Sequence, residues 1–144
     1  MATAYEGVEY TLNTSPRYNE KGVFSIYGHF DLSAVLDTDD TIAMFKVPNK
    51  ARIINMILSS DDVSEADDIT MSVGDATTAA KFISASIIGQ AGGTIDMKDA
   101  TYGVRAGFAH RYDADTEILV TIAAGGTTTA TGTIKLVAII AVDD

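Results

Sequence analysis

The sequence predicts an all-β fold: an antiparallel β-sandwich, jelly-roll-like, of about eight strands, with an extended N-terminal arm. Three observations carry this. Short apolar stretches rich in Ile, Val, Phe and Thr alternate at period 2. Turn chemistry separates them, as at Pro48-Asn49-Lys50, Gly74-Asp75 and Gly89-Gln90-Ala91-Gly92-Gly93. The stretch Asp115 to Asp144 holds the two longest apolar stretches, against which the shorter strands would pack. An immunoglobulin-like sandwich is the alternative, but the chain has no tryptophan and no cysteine pair to support it.

A chain of 144 residues with 47% hydrophobic residues is long and apolar enough to bury a core as one domain. Ten basic against twenty acidic residues leave a net charge of -10, which favours solubility and argues against nucleic acid or an anionic membrane as partner. The absence of cysteine excludes disulfides, thiolate catalysis and Cys-ligated metals. The start, Met1-Ala2-Thr3-Ala4-Tyr5-Glu6, has neither a basic segment nor an apolar run and does not read as a signal peptide. The apolar run Leu136 to Val142 is too short to cross a bilayer as a helix.

Residues 1–21 are polar, carry Tyr5, Tyr10 and Tyr18, and form the arm; residues 22–144 form the sandwich domain. Such an arm frays unless held, and tyrosines, apolar on the face and polar at the tip, suit contact with the body or a neighbouring chain. From Val23 to Leu32, residues Phe24, Ile26, Gly28, Phe30 and Leu32 share one strand face. Thr41 to Val47 is a second strand. Arg52 to Ser59 is a third, with Ile54, Met56 and Leu58 on one face and Ile53, Asn55 and Ile57 on the other, and so lies centrally. Ile69 to Val73 alternates and ends at a turn. Ala79 to Ile88 fits a short helix or a strand, Thr94 to Met97 a connector, and Val104 to Tyr112 a strand with Phe108 inward. The closing pair, Thr116 to Ile122 and Thr133 to Val142, reads as a long hairpin. Ile118, Val120 and Ile122 face one way, as do Ile134, Leu136, Ala138, Ile140 and Val142. Val137, Ile139 and Ala141 lie on the opposite face of an already apolar strand, which marks them as a contact with another subunit.

Few residues suggest chemistry. Asp37, Asp39 and Asp40 in one turn, and Asp61 and Asp62 opening the acidic loop 61–68, are candidate Ca²⁺ ligands by their hard oxygens, but neither loop has EF-hand spacing. Solvated aspartates capping turn amides are the simpler reading. His29 and His110, the two histidines, each stand alone in sequence and read as strand residues at a surface or subunit contact. The glycine-rich segment 89–93 lacks the Lys-Ser/Thr of a phosphate loop, and Asn13-Thr14-Ser15 matches a glycosylation sequon that means little without a secretory leader. No cofactor and no catalytic set is expected.

From Ala34 onward the chain resembles the jelly-roll decoration, or cement, proteins of tailed-bacteriophage capsids. The likeness is carried by Phe45-Lys46-Val47-Pro48-Asn49-Lys50-Ala51-Arg52-Ile53-Ile54 and by Ile69-Thr70-Met71-Ser72-Val73-Gly74-Asp75-Ala76. Ile118 to Ala123, leading through Thr and Gly to Gly132-Thr133-Ile134, and the ending Ala141-Val142-Asp143-Asp144 add to it. The arm is outside the match. The resemblance implies a virion structural protein without catalysis, on the outer surface of the head, made in the host cytoplasm. It further implies a homotrimer whose partner is the major capsid protein. Competing readings are a tail, neck or fibre-associated β-sandwich, a Ca²⁺-dependent carbohydrate-binding module using the acidic loops, and a hydrolase on a jelly-roll scaffold.

Overall fold

Strands form where the period-2 stretches lie. The computed structural model describes residues 2–7, 22–64, 66 and 68–142. In it the strands are β1 (Ala4–Glu6), β2 (Gly22–Leu32), β3 (Thr41–Val47), β4 (Ala51–Ser60), β5 (Thr70–Gly74), β6 (Ile83–Ser86), β7 (Gly93–Asp96), β8 (Thr116–Ala124) and β9 (Gly132–Val142). They build two sheets, ordered β2-β9-β4-β7 and β1-β3-β8-β5-β6. Four antiparallel pairings are nested: β2 with β9, β3 with β8, β4 with β7, β5 with β6. The chain is thus one long ribbon folded back on itself, and β4–β9 and β5–β8 pairing closes it into a jelly roll. β1 adds to the margin of the second sheet, parallel to β3.

The core lies between the inner faces. Ile134, Leu136, Ala138 and Ile140 of β9 are fully buried, opposite Ile118, Val120 and Ile122 of β8. Leu36, Val63, Ile69, Ile88 and Ala130 plug one end of the sandwich; Phe82, Met97 and Tyr112 plug the other. Removing such surface from water, at about 25 cal/mol per Å², is the main force holding the sheets together.

Four expectations are corrected. The closing pair is not a hairpin: β8 and β9 lie in different sheets, and residues 125–131 cross from one to the other. Each finds antiparallel partners earlier in the chain, so both can bury an apolar face across the sandwich. In β4, Ile53 faces inward with Met56 and Leu58, because the ladder to β9 skips a residue between Ile53 and Asn55. The extra residue, Ile54, is a β-bulge, which switches the face of everything after it. Thr94 to Met97 is largely strand, as β7 covers the Ile57–Ser60 half of β4. Val104 to Tyr112 is not a regular strand. It holds a 3-10 turn at Arg105–Gly107, and Phe108 is 54% exposed. Ala109 there adopts φ +62°, which breaks strand geometry. The segment still covers the other half of β4: Ala109 N–H donates to Ile53 O, Ile53 N–H to His110 O and Tyr112 N–H to Ala51 O, at 2.9, 2.9 and 2.8 Å. The ambiguous Ala79–Ile88 segment resolves into β6 followed by a 3-10 turn at Ile88–Gln90.

Candidate functional site

Two constellations stand out: the outer face of the β2-β9-β4-β7 sheet, and a polar cluster where two loops meet. The register sets the first as rows across the strands. One row is Val23–Ala141–Arg52–Arg111, the next Ser25–Ile139–Asn55, the next Tyr27–Val137–Ile57–Asp96, and the last His29–Lys135–Ser59–Thr94. Val137, Ile139 and Ala141 therefore sit at the middle of this face, half-buried by their strand neighbours, beside Val23 and Tyr27, which are 70% and 44% exposed. An antiparallel sheet covered on one side normally turns polar residues to the other. In the second sheet two of the three outer rows around β8 are polar, Lys46–Glu117 and Thr41–Thr121–Ser72, and the apolar row between them, Ala43–Leu119–Gly74, is buried. The first sheet instead has exposed or half-buried apolar residues in its outer rows.

The polar cluster gathers residues distant in sequence. Asp75 follows β5, Lys81 precedes β6, and His110 and Tyr112 lie in the loop between β7 and β8. The buried Asp75 carboxylate accepts from the Thr77 and Thr78 amides at 3.0 and 2.8 Å, from Tyr112 Oη–H at 2.7 Å and from Lys81 Nζ at 2.8 Å. Lys81 Nζ also lies 3.4 Å from His110 Nε2 and 5.3 Å from the Tyr112 ring centre, and the His110 ring meets Tyr112 edge-on at 4.6 Å. Burial alone would push the Asp75 carboxyl up. The hydrogen bonds from Lys81, Tyr112 and the Thr78 amide, with the Lys81 charge, outweigh it and hold the group below its ordinary value. Burial, and then the Lys81 charge, hold His110 below its ordinary value. Burial and the Asp75 carboxylate push the Tyr112 phenol up. A carboxylate accepting four hydrogen bonds, beside a phenol that resists ionising, is a clasp tying the β5–β6 loop to the β7–β8 loop.

The fold is shared with chains of two phage capsids. A chain in the structure "Capsid of Ralstonia phage GP4" superposes with a TM-score of 0.80 at 21% sequence identity, over 99% of this chain and 99% of that one. A chain in the "Cyanophage Pam1 capsid asymmetric unit" superposes with a TM-score of 0.68 at 20% identity, over 89% and 90%. No protein-family model and no curated relative matches the sequence.

The remaining residues singled out in the sequence are placed as follows. Tyr5 packs on Phe30 of its own chain, ring centres 5.6 Å apart; Tyr10 and Tyr18 lie outside the described residues. Asp40 is buried, its carboxylate accepting from the amides of Thr3 and, at 2.9 Å, Asp37, while Asp37 and Asp39 are exposed. Asp61 accepts from the Thr133 amide at 2.9 Å, and Asp62 is exposed. Among the described residues no three His, Asp or Glu side chains converge as metal ligands. His29 stacks on Tyr27, 5.7 Å between ring centres, on the outer sheet face. His110 belongs to the clasp and lies in a loop, not a strand. Loops 33–40, 61–69, 87–92 and 125–131 share one end of the sandwich. They contain Asp37, Asp39, Asp40, Asp61, Asp62 and Asp68 and not one lysine or arginine.

Proposed function

We propose that this chain is a structural protein of a tailed-phage virion that binds the outside of the head and cements or decorates its subunits, without catalysis. Its partners are the major capsid protein and further copies of itself. The observation that carries the reading is the end-to-end likeness to a capsid chain, 99% of both chains at a TM-score of 0.80. Two further features support it. The strongest polar cluster is spent on holding loops together. Apolar residues are spread across a broad sheet face, a shape that suits contact with a protein rather than a small molecule. Many copies on a lattice also gain by avidity, so each contact can be modest.

The test is to incubate the purified chain with heads of its phage that lack it, and to measure co-sedimentation and image the particles. Saturable binding to the outer surface, with heads more resistant to heat or low salt, is the expected result. Failure to bind heads, density inside the shell, or density confined to tail or neck would overturn the reading.

A further inference from the structure

We propose that the outer face of the β2-β9-β4-β7 sheet is a two-fold interface with a second copy of this chain, the two sheets packed face to face with strands running in opposite directions. The inference stands whether or not the protein belongs to a virion.

On this face Val23 and Tyr27 are exposed, and Val137, Ile139 and Ala141 are half-buried. Its apolar residues, Val23, Tyr27, Ile57, Val137, Ile139 and Ala141, lie across three rows, continuous on β9 and interspersed with Ser25, Arg52, Asn55, Asp96 and Arg111. Three strands of ten or eleven residues and the four-residue β7, about 4.8 Å apart, give roughly 500–600 Å² per copy. Pairing would bury roughly 1,000–1,200 Å² in total, at the lower bound of specific interfaces. Among the described residues, the other large apolar side chains that are exposed, Val35, Ile87 and Phe108, lie singly in loops and make no second sheet-sized patch. A closed ring of three needs two different complementary patches, whereas a two-fold pair needs one patch complementary to itself. One patch therefore points to two copies rather than to the three that the family resemblance implies.

The charges select the direction. An axis lying in the interface along the Ser25–Ile139–Asn55 row places the row Val23–Ala141–Arg52–Arg111 of one copy over Tyr27–Val137–Ile57–Asp96 of the other. Apolar residues then meet apolar residues on β2 and β9, and Arg111 meets Asp96 at the margin, twice by symmetry. Arg111 also holds the exposed Asp113 of its own chain, Nη1 to Oδ1 2.6 Å. The same axis sends the two lysine- and arginine-free acidic ends to opposite sides of the pair. An axis along the strands would set them side by side, where like charge repels.

The test is sedimentation of the full chain from about 1 to about 100 µM. The expected mass at the upper concentrations is twice 15.2 kDa. Ile139→Glu, whose side chain leaves the inner core untouched, is expected to be monomeric throughout with an unchanged far-UV spectrum. Asp96→Arg should weaken pairing about 10-fold or more, and Asp96→Arg with Arg111→Asp should restore it to within about 3-fold. A wild-type chain that stays monomeric or forms a trimer overturns the proposal, as does a folded Ile139→Glu that still pairs. If Ile139→Glu fails to fold, the charge exchange at the sheet margin decides: a double variant as weak as the single one overturns it.

Discussion

Replacing Asp75 by alanine removes the acceptor on which the clasp converges. Four donors lose their partner: the Thr77 and Thr78 amides, Lys81 Nζ and Tyr112 Oη–H. The Thr77 and Thr78 amides lie in a turn of exposed residues, and Lys81, with a side chain 18% exposed, reaches solvent, so their loss is partly offset. Tyr112 is 7% exposed and cannot do the same. Its stranded hydroxyl costs about 1–3 kcal/mol, and the charge-assisted contact of Lys81 adds about 1 kcal/mol. The sum, about 3 kcal/mol, corresponds to a fall in Tm of roughly 10 °C for a domain of this size. Tyr112→Phe removes a single bond and should cost about 1–1.5 kcal/mol. Because the two side chains share that bond, the double variant should be less damaged than the sum of the singles, with a coupling of about 1 kcal/mol. Guanidinium unfolding followed by far-UV circular dichroism measures all three. A loss below about 1 kcal/mol for Asp75→Ala, or strict additivity with Tyr112→Phe, would refute the clasp. The pH dependence has a definite sign. Asp75 has its folded value below the unfolded 3.8, so its contribution is whole above that value and is lost as pH falls through the folded one. His110, depressed from 6.5, is protonated first in the unfolded chain, so stability also declines as pH falls from 6.5 through its folded value. Asp75→Ala should abolish the lower of these two acid steps and leave the upper one.

Three further outcomes follow from the packing. Leu136→Ala, on the fully buried inner face of β9, should cost about 2–5 kcal/mol, whereas Ile139→Ala on the outer face should cost the isolated subunit under about 1 kcal/mol; equal losses in chemical denaturation would contradict the assigned faces. Gly28→Ala should destabilise by about 1–3 kcal/mol, because a Cβ there would sit 2.6 Å from Met44 O, a backbone atom held in β3; an unchanged Tm would show that β2 and β3 do not approach so closely. Asp40→Ala frees the amides of Thr3 and Asp37, so hydrogen exchange at residues 2–7 should accelerate about 10-fold or more while β8 and β9 keep their protection.

Strand positions were legible because side-chain alternation depends only on neighbours in sequence. Thr41 to Val47 has in the structure the bounds its pattern predicts, and β2, β4, β5, β8 and β9 differ by one or two residues. What pairs with what was less legible. A pair of apolar strands joined by Gly and Thr looks the same whether the connector turns within a sheet or crosses between two, so the separation of β8 from β9 had no local signature. A bulge is equally silent: Ile54 is one isoleucine among several, and its effect shows only against the β9 register. Phe108 looked like a core residue because its exposure follows from the turn geometry of Gly107 and Ala109. The placement of Val137, Ile139 and Ala141 on a non-core face was readable from period alone. The clasp was not. Asp75 was visible as a turn residue, Lys81 as an ordinary charge, and His110 and Tyr112 as parts of a supposed strand; only the fold brings the four together.

The nesting of the ribbon also sets the order in which the molecule can be made. Asp31 bonds to Thr133, 102 positions further along the chain, and the whole of β2 waits for β9. Closing loops of that length comes before any reward from the contacts they enable, which places such topologies in the millisecond-to-second range of folding. On the ribosome, the first sheet lacks its second strand until Gly132–Val142 emerges. Half-made chains must hold their apolar stripes open for seconds at ordinary rates of synthesis, a window in which strand edges can find the wrong partner. Truncation within β9 should therefore abolish folding outright rather than trim it, and docking of β9 is the step that commits the chain.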